Sequence, residues 1–202
     1  MKVKITPLPD ELHPVLVQNG GTFTTAQANA AGVSNERLRL LVKAGELEWA
    51  AFGVYVLPDE FVDKMYIEQQ RRLRIIYSHD TALFLQDLTD RDPIRYSVTV
   101  PTGYNAARLK ADGFMVFTIK RELHEIGATQ VKTMFGHTVT AYGMERAICD
   151  CLRSRSQMDN YILIDAIKRY AKRKDKNLNT LMKMGETFRV TKLLRSYMEV
   201  LV

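Results

Sequence analysis

Ser34, Asn35, Arg37 and Arg39 lie within six residues of one another and carry side chains suited to reading nucleobase edges. Asparagine bonds adenine and arginine bonds guanine through paired hydrogen bonds, while a serine hydroxyl serves several bases. Lys43 and Tyr55 flank this set with groups suited to the phosphate backbone, and Thr25 is a further candidate DNA-binding residue.

A second constellation is the run from Lys168 to Lys176, with six basic residues and one acidic. If the run is helical throughout, Lys168 stacks over Lys172 and Arg169 over Arg173. With Lys174 these residues form a surface for phosphates or an acidic protein, or else a solvated helix face. A third set is Glu145, Arg146 and Asp150, on a segment whose Ile148, Cys151 and Leu152 share one helical face. It reads as a polar site or as a structural ion-pair network.

Catalytic chemistry finds no comparable set. His13, His79, His124 and His137 are far apart in the chain and show no metal-ligand spacing. Cys149 and Cys151, one residue apart, match neither a disulfide framework nor a zinc knuckle, and are expected as buried thiols. No Asp or Glu has Lys two positions on, the pairing that a restriction-type nuclease uses around its metal. A phosphate-cradling glycine loop, a Gly-x-Ser-x-Gly elbow and a His-Glu-x-x-His helix are all missing. No catalytic residue, metal or cofactor is therefore expected, and the chain is not expected to be an enzyme.

The base-reading residues need a helix to present them, and residues 24–45 supply one. Thr24 or Thr25 caps a short alanine-rich helix, Gly32 makes a turn, and Val33 plugs the space between two helices. Ser34 caps the second helix, Leu38, Leu41 and Val42 form its buried stripe, and Gly45 stops it. This is the layout of a helix-turn-helix, with Gln27 at a position usually apolar in that motif. Leu47–Ala51 and Val54–Pro58, separated by Phe52-Gly53, then predict a hairpin that serves as a wing. In this geometry the start of the second helix faces the major groove.

Beyond residue 58 the pattern is helical to residue 88, with Phe61, Met65, Ile67, Leu73, Ile76 and Tyr77 as the apolar positions of its first half. Strands are expected at 95–100, 114–119, 129–134 and 137–142, the last two joined by a tight turn at Phe135-Gly136. Residues 144–200 return to helical periodicity.

Charge separates the two parts. Of the 202 residues, 1–90 carry 9 basic and 12 acidic side chains, whereas 91–202 carry 20 and 11. Residues 1–58 balance five against five, so phosphate attraction from the helix-turn-helix alone is expected to be weak. With 46% apolar residues, no long apolar run and no h-region in Met1–Pro7, a soluble cytoplasmic protein without a membrane partner is expected.

The order of the winged helix, Tyr77-Ser78-His79-Asp80-Thr81-Ala82-Leu83-Phe84-Leu85, Ser97-Val98-Thr99-Val100-Pro101 and Glu145-Arg146-Ala147-Ile148-Cys149-Asp150 resembles the AbiEi-type antitoxins. These belong to bacterial type IV toxin–antitoxin systems associated with abortive phage infection. The resemblance covers almost the whole chain. It implies a winged helix that represses its own operon at promoter inverted repeats, with residues 34–43 as the reading helix and 54–56 in the wing. It also implies a C-terminal domain that counters a nucleotidyltransferase-type toxin, to which Lys168, Arg169, Lys172, Arg173 and Lys174 are assigned as the antitoxin surface.

The expected fold is α+β: a winged helix-turn-helix with a linker helix over residues 1–76, then a mixed α/β domain with a small sheet and several helices over 77–202. A rival reading is a DNA-processing or nucleotide-modifying enzyme that uses the winged helix for targeting. A protein-interaction module that binds no DNA is a third.

Overall fold

The computed structural model describes residues 8–201 and is α+β, in two compact units. The first contains residues 8–73 together with Lys132–Val139, and the second contains 74–131 and 140–201. The first seven residues of the expected winged helix lie outside the described residues.

In the first unit α1 (Leu12–Gln18) and β1 (Thr22–Thr24) precede α2 (Thr25–Ala30) and α3 (Asn35–Ala44), followed by β2 (Glu48–Ala51), β3 (Val54–Val56) and α4 (Lys64–Arg71). The three strands form an antiparallel sheet in the order β1-β3-β2. Gly32, at φ +93°, makes the turn between α2 and α3 in a region that L side chains rarely enter. Leu12, Leu16, Phe23, Ala28, Val33, Leu38, Leu41, Leu47 and Tyr55 form the core. The fully buried Ala28 lets a neighbouring element approach closely.

Gln27 departs from the apolar pattern because it completes a capping box. Thr24 Oγ1 accepts from the Gln27 N–H at 3.2 Å, and Gln27 Oε1 accepts from the Thr24 N–H at 2.7 Å. Gln27 Nε2 also donates to Asn19 Oδ1, joining the start of α2 to the end of α1.

The turn at 132–139 is held in this unit by a buried polar cluster that sequence reasoning does not anticipate. Asp63 caps α4 by accepting from the Tyr66 N–H, and its Oδ2 accepts from Thr133 Oγ1 and contacts His137 Nδ1 at 3.0 Å. The His137 ring stacks on Tyr66 at 4.5 Å, and its Nε2 lies 3.2 Å from the Asn19 carbonyl oxygen. Gly136, at φ +84°, makes the tight turn expected at Phe135-Gly136.

The second unit starts with β4 (Ile76–Tyr77), α5 (His79–Leu85), β5 (Ser97–Pro101), α6 (Ala107–Ala111), β6 (Met115–Ile119) and α7 (Arg121–His124). Then come β7 (Ala128–Lys132), β8 (Thr138–Tyr142), α8 (Met144–Arg153), α9 (Asn160–Lys172), α10 (Leu178–Thr187) and α11 (Thr191–Leu201). The mixed sheet has the order β6-β5-β4-β8-β7, with β4 antiparallel to β5 and parallel to β8, and β5 parallel to β6.

Ile76 and Tyr77 are thus strand residues rather than the helical positions expected. Two residues are too few to show alternation, and with Leu73 they happen to match helical spacing. All of β5 is buried, as befits an interior strand. Helices α8 to α11 pack Ile148, Leu152, Leu163, Ile167, Leu181 and Leu194 into the core of this unit.

Candidate nucleic-acid interface

Helix α3, expected to face the major groove, is fixed at its start by a side-chain cap. Ser34 Oγ accepts from the Arg37 N–H at 3.2 Å, so this hydroxyl fixes the start of α3. Leu38 and Leu41 bury one side of the helix, leaving Asn35, Arg39 and Lys43 exposed and Arg37 half-buried. Asn35 and Arg39 line an open groove of about 850 Å³ within the first unit. Its other walls include Thr24 and Thr25 at the start of α2, Trp49 and Phe52 in the hairpin, and Arg71 in α4. Arg71 also pairs with Glu68 at 2.9 Å.

Two expected contacts take other roles. Thr25 pins the hairpin: its N–H and Oγ1 donate to the Gly53 carbonyl oxygen at 2.9 and 3.2 Å. Tyr55 is only 6% exposed and stacks on Phe23 at 5.6 Å, so its ring belongs to the core rather than to the backbone-contacting surface expected. Glu48 and Trp49 of β2 are both exposed, whereas the three residues of β3, the central strand of the sheet, are all buried. Trp49, Phe52 and Arg71 are not among the expected site residues. The lone tryptophan of the chain and a phenylalanine at a hairpin glycine are the signals that could have found them.

The basic run also departs from expectation. Helix α9 ends at Lys172, so Arg173 stands outside it with extended backbone and does not stack over Arg169. Arg169 bonds Asp90 and Asp165, each at 2.8 Å. Arg173 forks onto Asp175 at 2.8 and 2.7 Å and donates to the Gln86 carbonyl oxygen at 3.2 Å. The Arg173 guanidinium holds the Asp175 carboxyl down at about 2. Lys168, Lys172 and Lys174 are exposed and, among the described residues, form no ion pair with a carboxylate. The cationic surface is therefore chiefly these three lysines together with the exposed Lys176, whose Nζ donates to the Arg173 carbonyl oxygen at 3.3 Å.

The Glu145–Asp150 set is internal structure. The Arg146 guanidinium lies between the rings of Tyr142 and Phe188, 4.0 and 3.7 Å from their centroids. It donates to Asp150 Oδ2 at 2.9 Å and to the carbonyl oxygens of Leu123 and Ile126 at 3.1 and 2.7 Å. Glu145 accepts from the Tyr170 hydroxyl at 2.9 Å. Burial pushes the Cys149 thiol up to about 12 and the Cys151 thiol well above its ordinary value, which leaves both as inert thiols at neutral pH. Among the described residues no cluster of His, Cys, Asp and Glu is arranged to hold a metal.

His79 is fully buried at φ +53°. Its Nδ1 lies 2.9 Å from Ser78 Oγ and its Nε2 3.1 Å from Ser154 Oγ, and its ring stacks on Phe117. Burial, reinforced by the charges of Arg153 and Arg146, drives its pKa well below the usual histidine value. The folded state therefore resists a proton that the unfolded chain accepts below about pH 6.5. Stability contributed by neutral His79 is full above that pH and is lost as pH falls below it. Urea unfolding at pH 7.5 and 5.5 should show wild type losing about 1.4 kcal/mol more than His79→Asn over this interval. Parallel pH profiles for the two proteins would refute the assignment.

Residues 11–58, from just before α1 to just past β3, match the family model described as transcriptional regulator, AbiEi antitoxin. Comparison with curated proteins gives no match. Among solved structures, the chain is similar to the crystal structure of the RV2827C protein from Mycobacterium tuberculosis. The similarity has a TM-score of 0.52 at 14% identity, covering 88% of this chain and 72% of that one. It is a likeness of fold. Among the described residues, no helix is long and apolar enough to cross a membrane.

Proposed function

We propose that the chain is a bifunctional antitoxin of a type IV toxin–antitoxin system. In this reading the first unit is a winged helix-turn-helix that represses its own operon at promoter inverted repeats. The second unit counters a nucleotidyltransferase-type toxin, in a cytoplasmic system of phage defence by abortive infection. The observation that carries the reading is the coincidence of the family match at 11–58 with a groove that joins the exposed Asn35 and Arg39 of α3 to the β2–β3 hairpin. The proposed activity requires no enzyme chemistry, and the buried Arg146 cluster and inert thiols are accounted for as structure.

Fluorescence anisotropy with the promoter duplex tests the first half. Wild type should prefer the promoter to a scrambled duplex, and Arg39→Ala should weaken binding by about 1–3 kcal/mol, roughly 5- to 150-fold, if this side chain makes a paired guanine contact. Arg39 is exposed and lies outside the core, so the variant should keep wild-type unfolding behaviour. Equal affinity of wild type for the two duplexes would sink the reading.

A further inference from the structure

We propose that Phe52, at the tip of the β2–β3 hairpin, is an apolar wedge that enters the minor groove of duplex DNA and partly unstacks a base step beside the site faced by α3. This deepens the DNA-binding reading above and rests on it.

The placement of the ring is the first argument. Phe52 is 94% exposed and Trp49, in the same hairpin, is 63% exposed, whereas Phe23 and Tyr55 of the same sheet are buried. Isolated exposed apolar residues are ordinary on protein surfaces. Here both aromatics line one groove with Asn35 and Arg39 of α3 and with Arg71 of α4. A surface that combines aromatic rings with guanidinium groups suits a duplex whose backbone offers phosphates and whose base faces become accessible where a step is opened.

The rigidity of the support is the second. A wedge works only if its base does not yield when pushed against stacked bases. Phe52 and Gly53 form a two-residue loop between the paired Ala51 and Val54, with Gly53 at φ +72°. The Gly53 carbonyl oxygen receives both donors of Thr25, which lock the tip to the first turn of α2. Any side chain at position 53 would strain this backbone, so a glycine there suits the tight loop that carries the exposed Phe52.

Electrostatics is the third. With five basic and five acidic residues, the segment 1–58 that carries α3 and the hairpin has little net attraction for phosphate, so interactions independent of charge must supply part of the affinity. Burial of an inserted apolar side chain between bases is such an interaction; the unstacking it costs is offset by the additional protein surface met by a duplex bent towards the major groove.

The test uses the full chain and promoter duplexes carrying 2-aminopurine at successive steps, with end-to-end energy transfer to report bending. Wild type should raise 2-aminopurine fluorescence at one step of the promoter and shorten the end-to-end distance. Phe52→Ala should abolish both signals and weaken binding about 10-fold, while leaving the slope of log K against log salt unchanged because the same phosphates stay neutralised. Phe52→Leu, which keeps an apolar wedge, should restore the bend. Retention of both signals and of affinity in Phe52→Ala overturns the proposal, and so does a weakening of affinity that lowers the salt slope. If sedimentation without DNA shows that Phe52→Ala dissociates a dimer, the ring is covered by a second copy and the proposal is wrong. Failure of wild type to distinguish promoter from scrambled duplex brings down the underlying DNA-binding reading instead.

Discussion

Replacing Arg146 with alanine is expected to cost about 3–5 kcal/mol, the penalty for removing one partner of a buried ion pair, since Asp150 then keeps only the longer contact to Arg153 at 3.5 Å. Arg146 is 1% exposed and Asp150 is fully buried. The substitution deletes the bond to Asp150 Oδ2, leaves the carbonyl oxygens of Leu123 and Ile126 without their donor, and empties the space between Tyr142 and Phe188. Burial already raises the Asp150 carboxyl pKa against the opposing pull of Arg146 and Arg153, so removal of Arg146 should raise it further. Small domains are stable by about 5–15 kcal/mol, so this one change approaches global unfolding. Urea denaturation reads the cost directly. The double variant Arg146→Met with Asp150→Leu, which removes both charges, should lie closer to wild type than Arg146→Ala. A cost below about 1 kcal/mol for Arg146→Ala would show that the cluster is not an internal strut.

This cluster also marks the reach of the sequence. Glu145, Arg146 and Asp150 suggest either a polar site or an ion-pair network, and the spacing alone does not decide between them. The deciding facts are long-range: the carbonyl groups of residues 123 and 126 and the ring of Phe188, 42 positions away from Arg146 in the chain. The helices α2 and α3 and the turn between them are legible because their signals are local. Ser34, Gly32 and the Leu38–Leu41 stripe act within a turn or two of their own positions. Even the anomalous Gln27 follows a local rule, the capping box, which competes with the apolar preference at that position. The 132–139 turn is legible as a turn but not as part of the first unit. That membership depends on Asp63, about 70 residues away, and on Asn19, about 118 away. Tyr55 misleads because aromatic residues suit both a core and a phosphate contact, and only its stacking on Phe23 settles which it makes.

The largest functional effect is expected from the lysines at the end of α9. Within the proposed antitoxin role, replacing Lys168, Lys172 and Lys174 with glutamine should abolish rescue of cells that express the toxin, while promoter affinity stays as in wild type. The three are chosen because they are exposed, whereas Arg169 and Arg173 are tied to Asp90, Asp165 and Asp175 within the same unit. Their amino groups are therefore available to an acidic partner, a toxin surface or the RNA on which such a toxin acts. The arginines instead contribute to local structure. Removing the lysine charges should leave folding intact, since exposed lysines contribute little to stability. Two other outcomes would tell against this assignment. If the slope of log K against log salt for the promoter falls by about 0.9 for each phosphate no longer neutralised, the face grips DNA instead. If neither rescue nor DNA binding moves, the lysines form a solvated face and the toxin-countering surface lies elsewhere. Measuring rescue and the salt slope on the same triple variant separates the three, because only an antitoxin surface loses rescue with promoter binding unchanged.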